Sequence, residues 1–279
     1  ERYDSKLKKG NFRMKMGSPL SIYDSVAIES IRNRINSYLT NIEGFRSAQT
    51  TVLKEEKNRK ISLNYVIEEG SRNFIDSLIV RTGDPALTTL LKQNEPRSFL
   101  DKGAYYDRLN IDKERDRIDL LLKNNGYFGF NKRYIEFLVL EDAPKTDLWV
   151  TTVINKPIDR DIHPSFKLDS IIINTNGKAP IASSEDYYGI KYNFGAFDYS
   201  AKAIDARVRF KPGDLYNYTN IESTQRQLLN MDMFRFVNIN LDTTQVPGTF
   251  VANLYTAPLQ KYQLTQEAGV NVTEGPPGP

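Results

Sequence analysis

Few side chains in this sequence have the type and spacing that chemistry requires. The single histidine, His163, cannot by itself supply the two-histidine ligand sets of typical zinc sites, so we interpret it as a linker residue. Acidic and basic residues interleave from Glu114 to Asp119. At helical spacing they predict a solvated face, in which each charge pair contributes about a few tenths of a kcal/mol.

The glycines and the absence of cysteine narrow the chemistry further. Gly103, Gly126 and Gly213 stand far apart and form no phosphate-binding string, so we interpret them as turn and cap residues. The chain has no cysteine, which excludes thiolate catalysis, disulfides and thiolate-ligated metal. The sequence therefore predicts no catalytic residue, no metal, no cofactor and no enzyme activity.

Composition sets the broad class of the protein. Its 38 basic and 35 acidic residues nearly balance, which argues against a nucleic-acid binder with a basic stripe. Hydrophobic residues make up 39% of the chain, enough for packed cores. No apolar run reaches the roughly 18 residues of a membrane-spanning helix.

The elements that must position any working residue recur along the chain. In the second repeat we expect a strand, two helical segments and two alternating strands, at about 74–80, 85–92, 111–124, 134–140 and 148–154. The apolar stripe of the second helix predicts that Leu121 is buried.

The third repeat has the same order with a long insertion. Strands are expected at about 166–173, 236–241 and 250–255, the insertion at 174–205, and Leu228 in the core. Thr219 and Glu222 predict a capping box at the start of the last helix. Several tyrosines of the insertion either form a contact surface or anchor the insertion to its own domain: Tyr187, Tyr188, Tyr192 and Tyr199.

The first repeat contains only part of this pattern. A helical stripe follows an N-cap at Asp24 or Ser25, and two strands follow at about 49–54 and 61–67. We therefore expect an α+β protein of two-layer β-α-α-β-β sandwiches. The expected domains are 1–70 (partial), 71–158, 159–260 with the insertion 174–205, and a tail at 261–279.

One spacing marks both complete repeats. Lys211, Gly213 and Tyr216 are followed by a helix, Phe234 and an alternating strand, and the second repeat matches with Gly103, Tyr106, Gly126, Tyr127 and Phe128. On these residues the chain resembles the POTRA (polypeptide-transport-associated) domains of the BamA/TamA outer-membrane assembly family. The third repeat departs from the pattern, because Asp232-Met233-Phe234 replaces Gly-Tyr-Phe.

Three strings are similar to one branch of that family, the TamA-like lipoprotein TamL. They begin at Gly17, at Glu114 and at Leu259, and the last resembles the entry into a first barrel strand. The resemblance implies that the tail, 261–279, is the start of a C-terminal β-barrel or a linker. The resemblance implies tandem POTRA domains in the periplasm, with no barrel within these residues and a C-terminal β-barrel in the outer membrane. It also implies outer-membrane-protein clients, a TamB-like periplasmic partner and an N-terminal lipid anchor.

The resemblance also implies where a partner binds. In the family, the strand after the second helix lies at the sheet edge, where a client segment adds a further strand. The outward residues there are the predicted partner-binding residues: Tyr134, Glu136 and Leu138 in the second repeat, and Phe236, Asn238 and Asn240 in the third.

Two alternatives stay open at the level of sequence. One is the POTRA region of BamA itself or of a secretion porin. The other is a periplasmic enzyme domain acting on glycans, which a cleft of convergent acids with raised pKa values would favour.

Overall fold

The computed structural model describes residues 23–58, 60–142, 147–195 and 199–259. They form two compact units. One holds the described residues up to Thr82 with Ala86–Arg115 and Glu136–Ile154; the other holds Gly83–Pro85, Asp116–Ile135 and the described residues from Asn155 onward. None of the helices in these residues is both long and apolar enough to cross a membrane. The four predicted domains stay a prediction, and the predicted tail, 261–279, lies outside the described residues.

The first repeat consists of one helix and one hairpin. Helix α1 (Ser25–Asn41) begins at Asp24, whose carboxylate accepts the N–H groups of Val26 and Ala27, as predicted for an N-cap. Strands β1 (Gln49–Lys57) and β2 (Lys60–Glu68) pair antiparallel as a two-stranded sheet.

The second repeat has the predicted order of elements. It comprises β3 (Phe74–Thr82), α2 (Pro85–Gln93), α3 (Arg108–Lys123), β4 (Ile135–Asp142) and β5 (Asp147–Ile154). The strands lie in the order β3-β5-β4, with β3 parallel to β5. Ile111 of α3 packs with Ile75 and Val150 of the sheet, so one face of the sheet is buried under helices.

The buried stripe of α3 differs from the prediction by one residue. Leu122 is fully buried, whereas Leu121 is only half-buried, so the expectation that Leu121 is a core residue was wrong. At about 100° per residue, Leu122 lies close to the direction of the buried Ile111 and Ile118, while Leu121 lies about 80° to one side.

The third repeat builds on the same three-stranded order. It comprises β6 (Lys167–Asn174), β7 (Ser183–Tyr187), β8 (Ile190–Phe194), α4 (Ala201–Asp205), α5 (Tyr218–Leu229), β9 (Phe234–Thr243) and β10 (Thr249–Pro258). The sheet order is β7-β8-β6-β10-β9, in which β6, β10 and β9 repeat the arrangement of β3, β5 and β4. The predicted α+β class with open sheets is confirmed.

The insertion of the third repeat is part of the sheet and of its core. Hairpin β7–β8 pairs with β6 through β8, which is parallel to it. Tyr192 is fully buried, and Tyr187 and Tyr199 pack against the core, whereas Tyr188 is largely exposed. Most of the insertion tyrosines therefore anchor this segment to its own repeat.

Of two predictions made for α5, one is confirmed and the other was wrong. Leu228 is fully buried, as predicted. The predicted capping box at Thr219 and Glu222 was wrong, because the N-cap of the helix is Asn217, whose side-chain oxygen accepts the N–H of Asn220. Asparagine fills this role as well as threonine, so residue type alone did not decide between neighbouring caps.

The segment after α3 is tied to the third repeat by backbone hydrogen bonds. The N–H of Gly126 donates to the carbonyl of Tyr216, and its own carbonyl accepts the N–H of Phe166. Gly126 has φ +98°, and a Cβ there would overlap the Ser165 hydroxyl oxygen, so only glycine suits this close approach. The Phe128 ring packs edge-on against Tyr216 and Phe250, with ring centres 5.1 and 5.0 Å away.

A similar connection joins the first repeat to the second. The carbonyl of Gly44 accepts the N–H of Asn73, whose own carbonyl accepts the N–H of Tyr106. Tyr216 is the tyrosine of the Lys-x-Gly-x-x-Tyr spacing in the third repeat, and Tyr106 is the corresponding tyrosine in the second. The backbone of each tyrosine therefore takes part in the hydrogen bonds that connect its repeat to the segment after the preceding helix.

Candidate functional site

The single histidine has a structural role. His163 is buried, its Nε2 lies 2.9 Å from the carbonyl oxygen of Asn155, and its ring packs edge-on against Phe130 and Tyr134. The predicted linker residue therefore fastens the segment after the second repeat. Within the described ranges, no three histidine, aspartate and glutamate side chains are grouped to hold a metal ion.

The charged run on α3 is less solvated than its sequence predicts. Glu114 is buried and its carboxylate accepts the N–H of Phe99 at 3.0 Å. Asp119 is also buried, and its carboxylate lies 2.9 Å from the ammonium of Lys123. The expectation of a wholly solvated face was wrong, because Glu114 and Asp119 are both buried and each carboxylate has a partner.

Strand β4 is the first candidate working surface because it lies at a sheet edge. Among the strands that the structure describes, β5 is its only neighbour. An edge strand directs every second backbone N–H and C=O away from its sheet, where they can pair with another chain.

The two faces of β4 alternate in burial. Ile135 is buried and Phe137 packs against the core of the second repeat, while Glu136 and Leu138 are exposed on the other face. The Arg115 guanidinium lies 5.3 Å from the centre of the Phe137 ring. The prediction that Tyr134 belongs to the strand was wrong. It lies in a 3₁₀ turn, Lys132–Tyr134, before the strand, and its ring packs on His163.

The outer face of the second repeat carries further exposed apolar side chains besides Leu138. Trp149 of β5 is exposed between the buried Leu148 and Val150, so it points to the outer face. Ile79 of β3 and Leu140 of β4 are also exposed on this face. Trp149 belongs to no motif in the sequence, although its place between two core positions in an alternating strand indicated this orientation.

Strand β9 is the second candidate surface, at the edge of the five-stranded sheet. Val237 is buried, and Ile239 and Leu241 pack against the core. The predicted outward residues Phe236, Asn238 and Asn240 are all exposed. Alternation along this strand is therefore as predicted.

The surroundings of β9 are polar. The Asn238 amide donates to the Asn240 side-chain oxygen at 3.0 Å, and the Asn253 amide of β10 donates to the Asp242 carboxylate at 2.7 Å. The backbone carbonyl of Val237 accepts the side-chain amide of Gln225 from α5 at 2.8 Å. A register shift skips Arg235, so the strand begins with a bulge.

The opposite side of this sheet is occupied by the insertion. Strand β8 covers the side of β6 that faces away from β10. Asn193 of β8 joins the strands through its side chain, accepting from the Ser184 hydroxyl and donating to the Asn174 side-chain oxygen, both at 2.8 Å. The Tyr192 hydroxyl donates to Asp205 at 3.1 Å; burial, followed by the nearby Asp205 carboxylate, raises the pKa of Tyr192.

No protein-family model matches this sequence, and no curated protein does. Solved structures do match. The crystal structure of Haemophilus influenzae BamA POTRA3-5 is 15% identical with a TM-score of 0.38, over 85% of this chain and 83% of that one. The N-terminal domain of Omp85 from the thermophilic cyanobacterium Thermosynechococcus elongatus is 12% identical with a TM-score of 0.32, over 88% of each chain. CdiB from Escherichia coli is 13% identical with a TM-score of 0.26, over 84% of this chain and 34% of that one.

Proposed function

We propose that this chain is the periplasmic POTRA arm of an outer-membrane protein-assembly or secretion factor. Its role is to bind extended polypeptide segments as added strands and to pass them to an outer-membrane β-barrel. The motif residues that resemble the TamA-like lipoprotein branch support a TamB-like partner as a further part of the proposal. No step of this function needs a cofactor.

One observation carries the proposal: in both complete repeats, the strand after the second helix is an edge strand. β4 lies at one end of the order β3-β5-β4, and β9 lies at one end of the order β7-β8-β6-β10-β9. Backbone groups at such an edge bind any extended chain, whatever its sequence, because the donors and acceptors belong to the backbone. That property suits an arm that must accept many different clients.

The test exploits the alternation of backbone direction along β4. Leu138 and Val139 are adjacent, and both side chains are exposed to a similar extent. Proline at either position removes one N–H donor, and adjacent donors point to opposite sides of a strand. One of the variants Leu138→Pro and Val139→Pro therefore loses a bond to β5, whereas the other loses a donor only at the free edge.

The two variants should separate folding from binding. The expected result is a lowered melting temperature for one variant and, for the other, a near wild-type melt with weaker binding of an unfolded outer-membrane-protein peptide. Binding is measured by fluorescence anisotropy on the full chain.

Asn238→Pro is the corresponding change on β9, and it should weaken peptide binding more than it weakens folding. The double variant that carries Asn238→Pro and the edge proline of β4 should lose most peptide binding. Full binding by a folded double variant would contradict addition at these edges and direct attention to the helix grooves.

A further inference from the structure

We propose that the two edges select different segments, which deepens the proposed function and rests on it. The β4 edge takes an extended segment with an apolar residue at every second position. The β9 edge takes a segment whose outward residues are polar. The side chains that border each edge on the outer face of its sheet determine this selectivity.

From Leu138 onward the border of β4 is apolar, whereas Glu136 at the start of the same face is charged. Leu138 and Leu140 are 42% and 62% exposed, and Trp149 on the next strand is 47% exposed. A strand added to β4 would place alternate side chains about 5 Å from those of Leu138 and Leu140. Apolar residues at these positions would remove the leucines from water and extend an apolar surface that already includes Trp149.

Beyond Phe236, which is 46% exposed at the start of the strand, the border of β9 has the opposite chemistry. Asn240 lies opposite Asn253 of β10, and Asn238 lies opposite Tyr255. An apolar side chain beside Asn238 or Asn240 would cover amide groups without offering them a hydrogen bond, which costs free energy. A polar side chain at the same place can bond to them.

The backbone of β9 also restricts which register a segment can take. The bulge at Arg235 and the bond from Gln225 to the Val237 carbonyl both fall in the first half of the strand. A bulge bends an edge and interrupts regular pairing. A segment at β9 is therefore held chiefly beside Asn238, Asn240 and Asp242, where the exposed side chains are polar.

The experiment uses the full chain and two photoreactive peptides, each eight residues long to match β4. In the first peptide leucine and threonine alternate; in the second, asparagine replaces each leucine. Both carry the same photoreactive group on a central threonine position, and mass spectrometry identifies the protein strand to which each peptide cross-links. The leucine peptide should label β4, and the asparagine peptide should label β9.

Two outer-face variants exchange the chemistry of the edges without altering the inward residues. Leu138→Asn with Leu140→Asn should lower the affinity for the leucine peptide roughly fivefold, because two apolar cross-strand pairs are lost. The asparagine peptide should then label β4 as well as β9. Asn238→Leu with Asn240→Leu should bring the leucine peptide to β9. Circular dichroism confirms that each variant is folded.

The outcomes distinguish the two proposals. If both peptides label both edges equally, and the edge prolines still abolish the labelling, strand addition stands and selectivity is overturned. If the labelling survives the edge prolines, strand addition itself fails, and the selectivity falls with it.

Discussion

The second and third repeats share one strand order and differ at the edge formed by their first strand. In the second repeat, β3 has only β5 beside it among the described strands, whereas in the third repeat β8 pairs with the corresponding strand β6. The insertion thus covers the edge that β6 would otherwise form. Among the described strands, β9 remains at the other border of the sheet. A repeat can therefore grow on one side without losing the edge proposed to bind polypeptides.

The insertion also enlarges the core of the third repeat. Apolar side chains of β8 and α4 join the cluster formed by β6, β10 and α5; they are Ile190, Tyr192, Phe194, Ala201 and Ile204. The second repeat buries Ile75, Leu100, Ile111 and Val150 together without such an addition. The additional apolar area that the insertion buries should stabilise the third repeat.

The largest expected effects come from leucines in the two helices. Leu122→Ala and Leu228→Ala should each cost about 2–5 kcal/mol in free energy of unfolding, because both side chains are fully buried. The matched control is Leu121→Ala, which should cost clearly less because Leu121 is half-buried. Urea unfolding of the three variants measures this, and equal costs at Leu121 and Leu122 would break the assignment of the buried stripe.

The next effect concerns the connection after α3. Gly126→Ala should cost about 2–4 kcal/mol, since it combines a left-handed backbone with overlap against Ser165 and Leu215. Gly103→Ala is its control: Gly103 also has a positive φ, but no atom lies within 4 Å of an added Cβ. The control should lose only about 1 kcal/mol, and a thermal melt that ranked the two the other way would refute the tight approach at Gly126.

The smallest expected effect is on the pH dependence of stability, and it should differ between Tyr216 and Tyr106. Burial raises the pKa of Tyr216 to about 12, with a further contribution from Tyr218. The folded state holds the Tyr216 proton more tightly than the unfolded chain does. The contribution of this protonated hydroxyl to the free energy of unfolding is therefore complete below about pH 10 and is lost as the pH rises towards 12. The loss should be at most about 3 kcal/mol.

Tyr216→Phe should therefore flatten the decline of melting temperature above pH 10. Burial also raises the pKa of Tyr106, but the Arg108 guanidinium opposes that rise, so Tyr106→Phe should flatten the decline less. Equal pH profiles for wild type and Tyr216→Phe would show that this hydroxyl does not report on folding.

Much of the fold could be predicted from patterns between near neighbours. Alternation along β9 correctly assigned Val237 to the core and Asn238 to the surface, and helical spacing located α3 and α5 within a few residues. Such patterns are reliable because a strand alternates its side chains and a helix repeats every 3.6 residues, whatever the rest of the chain does. Competing local signals were harder, as the cap at Asn217 shows.

Only the tertiary structure decided which strands border the sheets and which polar residues are buried. Three examples depend on contacts between residues that are distant in sequence. They are the pairing of β8 with β6, the burial of Glu114 and the packing of His163 against Tyr134. Outside the insertion, the amino-acid sequence by itself determined the helices, the strands and most of their inward faces, since these depend on adjacent residues. The edges and their contrasting apolar and polar borders depend on pairing between distant strands, and that pairing is settled only when the sheets and their cores form together.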